Sequence, residues 1–394
     1  MHANAVRPVR SWPSMSSADL DDPDLEDDDP YIAFRNARGS LGRWAPRMGG
    51  TRWMASDPGG RLAGAEELLA SDAPPIILDN GMKVRVDGRL GEGRFGDVLL
   101  GKADDGSSVA IKVALRRTSQ LATEAACLRA VAGSAGFPRL LAHRPPSEER
   151  ASELLVMELL GDSVQTLWER ATRRTHFSSP MVRHIGRGTL RCLRALHRAG
   201  YVHNDLKPPN VLLGAASSAA ADEMHLIDFG LATTANAAAA AGVPSSPKAA
   251  RGSRVGSPLF ASVAAHDGNP TRPVDDLESL VYMLSFLAAG TLPWQQAAYA
   301  RVPEMKRALL RDGCSALLDS ISLAQARDQT VEHDRSSTAD TAQALRGLWT
   351  EITAAQQADD IDHVYEACLA ALEEKANAPE STDVGHAYDW HTAA

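Results

Sequence analysis

The stretch His203-Asn204-Asp205-Leu206-Lys207-Pro208-Pro209-Asn210 sets an aspartate and an asparagine with four residues between them. That spacing is the one phosphoryl transfer to a hydroxyl uses: the aspartate orients the hydroxyl and accepts its proton, and the asparagine amide oxygen holds a metal ion. Downstream, Asp228-Phe229-Gly230 offers a second metal-binding group, a carboxylate that bridges Mg²⁺ to phosphates. Upstream stands Gly91-Glu92-Gly93-Arg94-Phe95-Gly96-Asp97-Val98. Its glycines let the backbone approach a ligand closely and turn N–H groups toward phosphate oxygens. Alone it is a weak signal, since many glycine-rich turns bind nothing. Its surroundings sharpen it. A dinucleotide-binding loop would run into a helix, whereas here a strand follows at Asp97–Leu100. The next strand, Val109-Ala110-Ile111-Lys112, brings in a lysine. Each motif arises by accident now and then; all of them in this order and spacing do not.

Around these motifs the chain changes character twice. Residues 1–75 are rich in Pro, Gly, Ser and Asp, hold no sustained period and are expected to form a disordered tail. Trp12, Trp44 and Trp53 are unusual in such a segment and read as loosely packed or solvated. Met82–Leu90, Asp97–Lys102 and Val109–Ala114 read as strands, Gln120–Ala132 as a helix, and Leu140–His143 and Leu154–Glu158 as strands. From Pro180 onward helices dominate, with Val182, Ile185, Leu193 and Leu196 on one buried face. Residues 233–256 read as a mobile loop and 325–340 as a polar surface loop. A strand-rich front and a helix-rich back predict an α+β fold with two lobes, a small β-rich one over about 82–158 and a larger α-helical one over about 162–390. The folded part as a whole is read as residues 76–391.

Composition removes other classes. The chain has 394 residues, 44% of them hydrophobic, enough for a sizeable core. Net charge is −9, and nearly all of it sits in the acidic run Asp19–Asp29. Nucleic-acid coating needs a basic excess that is absent, so no nucleic-acid partner is expected. Cys127, Cys192, Cys314 and Cys368 lie far apart without Cys-x-x-Cys spacing, which fits reduced thiols in an intracellular compartment, cytoplasm or nucleus. No run approaches the ~18 apolar residues of a membrane span. The apolar stretch Leu280–Ala289 reads as a buried helix. No secretory signal is read at the start, although residues 1–18 faintly resemble an organelle transit peptide. The sequence carries no signal of oligomeric state.

A glycine-rich hairpin followed by a strand lysine, then the Asp205 and Asp228 motifs, resembles the eukaryotic protein kinases. Within them the chain is similar to the casein kinase 1 family. Leu155-Val156-Met157-Glu158-Leu159-Leu160-Gly161-Asp162-Ser163 resembles that family's hinge, and Ala261-Ser262 stands where the family has Ala-Ser-Ile-Asn. Asp275-Asp276-Leu277-Glu278-Ser279-Leu280, then Leu292-Pro293-Trp294-Gln295, is the most specific match, and Tyr388-Asp389-Trp390 resembles the family's closing Asp-Trp. The resemblance covers about residues 82–390. It implies a bilobal kinase fold and a protein serine/threonine kinase that uses ATP and Mg²⁺ on protein substrates.

It also implies roles. Gly91, Gly93 and Gly96 would cover the phosphates, with Val98 and Ala110 as the roof over adenine and Leu212 as its floor. Lys112 would pair with the α and β phosphates and with a helix glutamate, Glu124, at a sequence gap slightly short for the family. Met157 would be the gatekeeper, with Glu158 and Leu160 offering backbone groups to adenine. Asp205 would be the catalytic base, Lys207 a γ-phosphate contact, and Asn210 and Asp228 the metal ligands. Asp276 would anchor the backbone of the loop carrying Asp205.

Two departures matter. Asn204 replaces the arginine that normally meets an activation-loop phosphate, which predicts activity independent of such a phosphate. Leu259 replaces an arginine that helps the family bind anions, which puts a preference for acidic or pre-phosphorylated substrates in doubt; Lys248, Arg251, Arg254 or Lys306 could compensate. Ser257 reads as a structural contact to the catalytic loop. Arg183, Arg187, Arg191, Arg194 and Arg198 share one helical face, read first as solvated and second as an anion-docking strip for the acidic tail. The alternative function is a pseudokinase acting as a nucleotide-binding or scaffold protein. Intact Lys112, Glu124, Asp205, Asn210 and Asp228 oppose it. A small-molecule kinase is disfavoured by Asp228-Phe229-Gly230 and by the 275–280 stretch.

Overall fold

The computed structural model describes residues 65–70, 73–78, 81–93, 96–114, 120–146, 152–171, 176–216, 218–235, 256–327, 335–355 and 361–373. Trp12, Trp44, Trp53, the acidic run, Lys248, Arg251, Arg254, Tyr388-Asp389-Trp390 and most of the loop read over 233–256 lie outside them. A short helix, α1 (Ala65–Leu69), falls inside the stretch read as tail and buries Ala65 against the first sheet.

Strands β1 (Ile76–Ile77), β2 (Lys83–Gly93), β3 (Gly96–Ala103), β4 (Ser108–Ala114), β5 (Leu140–Arg144) and β6 (Leu154–Glu158) form one antiparallel sheet in the order β1-β2-β3-β4-β6-β5. Alternation along the strands gives the sheet two faces. Val109, Ile111 and Val113 are buried with Leu99, Leu154 and Val156 in a core of their own. Val98, Ala110 and Lys112 lie on the other face, because Val98 is the cross-strand partner of Lys112 and Ala110 that of Met157. Helix α2 (Gln120–Ala130) buries Leu121, Glu124, Ala125 and Leu128, the helical spacing of one face. Glu124 is thus carried inward by the same periodicity that buries its leucines.

The second lobe holds α3 (Val164–Ala171), α4 (Ser179–Arg198), α5 (Val263–His266), α6 (Pro273–Ala289), α7 (Val302–Asp312), α8 (Ser315–Arg327), α9 (Arg335–Ala355) and α10 (Ile361–Ala371). Two small ribbons, β7 (Tyr201–Val202) with β10 (Thr233–Thr234) and β8 (Val211–Leu213) with β9 (Met224–Leu226), lie beside the cleft. Every residue of α6 from Val274 to Ala289 is buried, so this helix is the axis of the lobe. Its start is fixed by Pro273 and by Asp275, whose carboxylate accepts from Arg272 N at 2.7 Å. Its end is fixed by Gly290 in the left-handed conformation. The loop read over 325–340 is mostly helix, since α8 runs to Arg327 and α9 begins at Arg335. Buried Leu345, Leu348, Trp349 and Ile352 on α9 explain the difference: an apolar face beginning further along extends its helix back into a polar stretch. Among the described residues no helix is long and apolar enough to cross a membrane. All four cysteines are buried free thiols, and burial pushes those of Cys127, Cys192 and Cys368 up to about 12.

Candidate active site

The cleft between the lobes is joined by one ammonium. Lys112 Nζ lies 2.7 and 2.9 Å from the two Glu124 oxygens and 3.1 Å from Asp228 Oδ1. Strand β4 thereby connects to α2 on one side and to the second lobe on the other. Burial pulls the Lys112 pKa down, but the Asp228 and Glu124 charges outweigh it and raise it, so the lysine stays charged. Burial pushes the Asp228 carboxyl up, and the Lys112 and Lys207 ammoniums bring it below the usual carboxylate range. Burial, and then the Asp228 charge, raise Glu124 despite its pairing with Lys112. Asp228 itself has φ 68°, a left-handed backbone that turns it into the cleft, and Phe229 behind it is fully buried against Phe137 and His203.

Opposite, Asp205 is held from three directions. Lys207 Nζ donates to its Oδ2 at 2.6 Å, Ser257 N donates to its Oδ1 at 2.9 Å, and Asn210 Nδ2 donates to its carbonyl oxygen at 2.8 Å. Ser257 thus meets the loop of Asp205 through its backbone N–H rather than its hydroxyl. Gly256 makes that approach possible: a Cβ there would sit 2.4 Å from the Asn204 carbonyl oxygen, and its φ is +84°. Burial raises the Asp205 carboxyl, and Lys207 offsets only part of that. Ile227 N donates to Asn210 O at 3.0 Å, which ties Asn210 to the residue before Asp228.

The remaining expected positions fall around the same cleft. Gly91, Gly93 and Gly96 lie in the β2–β3 hairpin, where Gly93 pairs with Gly96. A Cβ on Gly96 would meet the Val113 carbonyl oxygen at 2.1 Å, so the hairpin closes on β4 only with glycine there. Val98, Ala110 and Met157 share the face that carries Lys112. Glu158 ends β6 with its N–H bonded to Arg139 O at 3.0 Å, and half-buried Leu160 follows. Leu212 lies between buried Val211 and Leu213, so alternation turns it from the core.

Asp276 holds the loop as the resemblance implied: its oxygens accept from His203 N at 2.6 Å and Asn204 N at 2.9 Å. Burial alone would push its carboxyl up; the hydrogen bond from His197 and the neighbouring imidazoles bring it below its ordinary value. What sequence reasoning missed is how Asn204 is used. Its backbone is left-handed, φ 69°, and its Nδ2 donates to Leu231 O at 2.9 Å and Thr233 Oγ1 at 3.0 Å, while its Oδ1 accepts from the Thr271 hydroxyl. The available signal was the residue type, since asparagine is among the few side chains that tolerate a left-handed backbone.

Two expectations are corrected, the second in part. Lys306 cannot replace a missing anion contact: it is fully buried, donates to Pro258 O at 2.9 Å and Ala261 O at 2.6 Å, and lies over the Tyr282 and Trp294 rings. Leu259, in the place of that arginine, is a core residue, 5% exposed. The arginine face of α4 is solvated only in part: Arg191 is exposed, whereas Arg183, Arg194 and Arg198 have partners in the fold. Arg183 is buried and donates to Glu373 O at 2.9 Å and Asp340 O at 3.0 Å. Arg194 pairs with Asp362 and Glu366, and Arg198 with Asp362. The acids they meet belong to α9 and α10, which the arginines' spacing alone could not reveal.

A two-lobed fold with a lysine–glutamate pair on one wall and an anchored Asp205 on the other defines a phosphotransferase cleft. Residues 84–350 match the protein kinase domain family, about two thirds of the chain, and the chain belongs to that family.

Proposed function

We propose that this protein is an active serine/threonine kinase, similar to casein kinase 1, that transfers the γ-phosphate of ATP to protein hydroxyls without needing a phosphate on its activation segment. The observation that carries this reading is the simultaneous presence of both halves of the machinery, the Lys112–Glu124 pair with Asp228 on one side and the Asp205–Lys207–Asn210 set on the other. A scaffold has no chemical need for both.

In this reading Val98, Ala110, Met157 and Leu212 pack the adenine, Glu158 and Leu160 bond its edge, and Gly91, Gly93 and Gly96 cover the phosphates. Lys112 neutralises phosphate charge, held in place by Glu124. Asp205 orients the acceptor hydroxyl and takes its proton, and Lys207 screens the γ-phosphate. Asn210 and Asp228 would hold Mg²⁺; two hard oxygen donors fit an ion that keeps its other positions for water and phosphate. Bound there, Mg²⁺ supplies further neutralisation of phosphate charge. The Asn204 bonds to Leu231 and Thr233 support independence from activation-segment phosphorylation, because they tether the same segment without a phosphate. Serine/threonine preference rests on Lys207 and on the family resemblance.

The test is transfer from γ-labelled ATP to casein and to the protein itself, with Asp205→Asn beside it. Transfer by wild type, slowed about a hundredfold or more in the variant with ATP affinity kept, supports the reading. ATP binding with no transfer by wild type would move it to the scaffold class, and an Asp205→Asn variant with full rate would remove Asp205 from its role.

A further inference from the structure

The carboxylate that holds the catalytic loop is itself held from outside the matched domain. Asp276 Oδ2 accepts from His203 N and lies 2.8 Å from His197 Nε2. His197, on α4, meets the Tyr365 hydroxyl through its Nδ1 at 2.5 Å. Tyr365 belongs to α10, which begins after residue 350, where the family match ends. The chain of groups is dry: Tyr365 is 0%, Asp276 2% and His197 7% exposed.

The hydrogen beside Asp276 has one possible owner. Asp276 is ionised and already accepts two backbone N–H groups, so the hydrogen between it and His197 is carried by Nε2. The other ring nitrogen, Nδ1, meets the Tyr365 hydroxyl. Burial pushes the Tyr365 phenol well above its ordinary range, so it keeps its proton. The hydroxyl thus holds the ring in the orientation that points Nε2 at Asp276.

The helix that carries Tyr365 is seated independently of it. Arg194 meets Asp362 and Glu366, Arg198 meets Asp362, and Arg183 caps the carbonyl of Glu373. Gly186 leaves room for Leu372; a Cβ there would lie 2.8 Å from Leu372 Cδ1.

We propose that Tyr365 is a positioning residue for phosphoryl transfer, fixing the loop of Asp205 through His197 and Asp276, so that α10 is part of the kinase machinery. The proposal rests on Asp205 being the transfer residue. Removing the hydroxyl alone leaves the imidazole without its second anchor, so its hold on Asp276 weakens and the His203 and Asn204 N–H bonds to Asp276 loosen. Lys112, Glu124 and Asp228 belong to other elements and stay as they are.

The experiment compares wild type, Tyr365→Phe, His197→Gln and the double variant in the full chain. Tyr365→Phe is expected to lower kcat about tenfold with KM for ATP unchanged, as loss of one buried hydrogen bond in the loop's support would do. The double variant is expected to be no slower than His197→Gln, because both act on one path. Amide hydrogen exchange at His203 and Asn204 is expected to speed up about tenfold in Tyr365→Phe, with β4 amides unchanged. A wild-type kcat, additive losses in the double variant, or unchanged exchange at those two amides would each overturn the proposal. Exchange reads the path even if the protein transfers no phosphate, so failure of the functional reading and failure of this one are told apart.

Discussion

Asn204 Nδ2 lies 3.0 Å from Thr233 Oγ1, so the residue ahead of Asp205 is bonded directly to the segment that leaves Asp228-Phe229-Gly230. A kinase with arginine at this position needs a phosphate to complete an ion pair. Here a neutral side chain makes the tether with groups the chain already has.

Phosphatase treatment is therefore expected to leave the transfer rate unchanged. Asn204→Ala is expected to lower it about tenfold, since it removes the tether and puts an unfavourable residue at positive φ. Asn204→Gly separates the two effects, because it relieves the backbone and still lacks the amide. Initial rates of the three proteins, before and after phosphatase, check this; a rate abolished by phosphatase would refute it.

Gly256→Ala is expected to cost about a hundredfold in kcat while sparing ATP affinity. The added methyl collides with the Asn204 carbonyl oxygen 2.4 Å away, and relief of that contact draws Ser257 N off Asp205. Nucleotide titration alongside turnover separates the two quantities.

Glu278 gives a pH dependence of stability with a definite sign. Burial raises its carboxyl from 4.5 to about 7. The folded state keeps a proton that the unfolded state loses in that interval, so stability falls as pH rises from 4.5 to about 7 and levels off above. The shift corresponds to roughly 3 kcal/mol. Denaturant midpoints at about pH 5 and about pH 7.5 should drop more for wild type than for Glu278→Gln; equal drops would remove Glu278 as the source.

Lys306→Met is expected to destabilise the fold by about 1–3 kcal/mol, because Pro258 O and Ala261 O lose their buried donor. It is expected to raise KM for a peptide substrate more than KM for ATP, since the segment it braces lies beside Asp205 and not beside Lys112. With Leu259 and Lys306 both buried, a pre-phosphorylated peptide is expected to gain nothing over its unmodified form. A large advantage for the phosphopeptide would show that cations elsewhere take the role.

Much of this architecture is legible in the sequence. The strands of the first lobe follow from alternation, and β4 and β6 fall within a residue of their expected bounds. The pair Lys112–Glu124 was legible only through the family resemblance, and the structure joins the two at 2.7 Å. What could not be read concerns where charges end up. Five arginines on one helical face look alike in sequence, yet Arg183 is buried while Arg191 is exposed, according to which helices cover them. Lys306 looked like any surface lysine because the carbonyls it satisfies belong to residues 45 and 48 positions away. Tertiary partners of this kind leave no local period.

The seat of α10 on α4 separates two meanings of a domain boundary. The family match ends at residue 350, but a fragment cut there would leave Arg183 without the Glu373 carbonyl, Gly186 facing a hollow where Leu372 sits, and His197 without its phenol. The matched stretch is thus shorter than the set of helices packed together, and a protein cut at its end would carry an open, sticky flank.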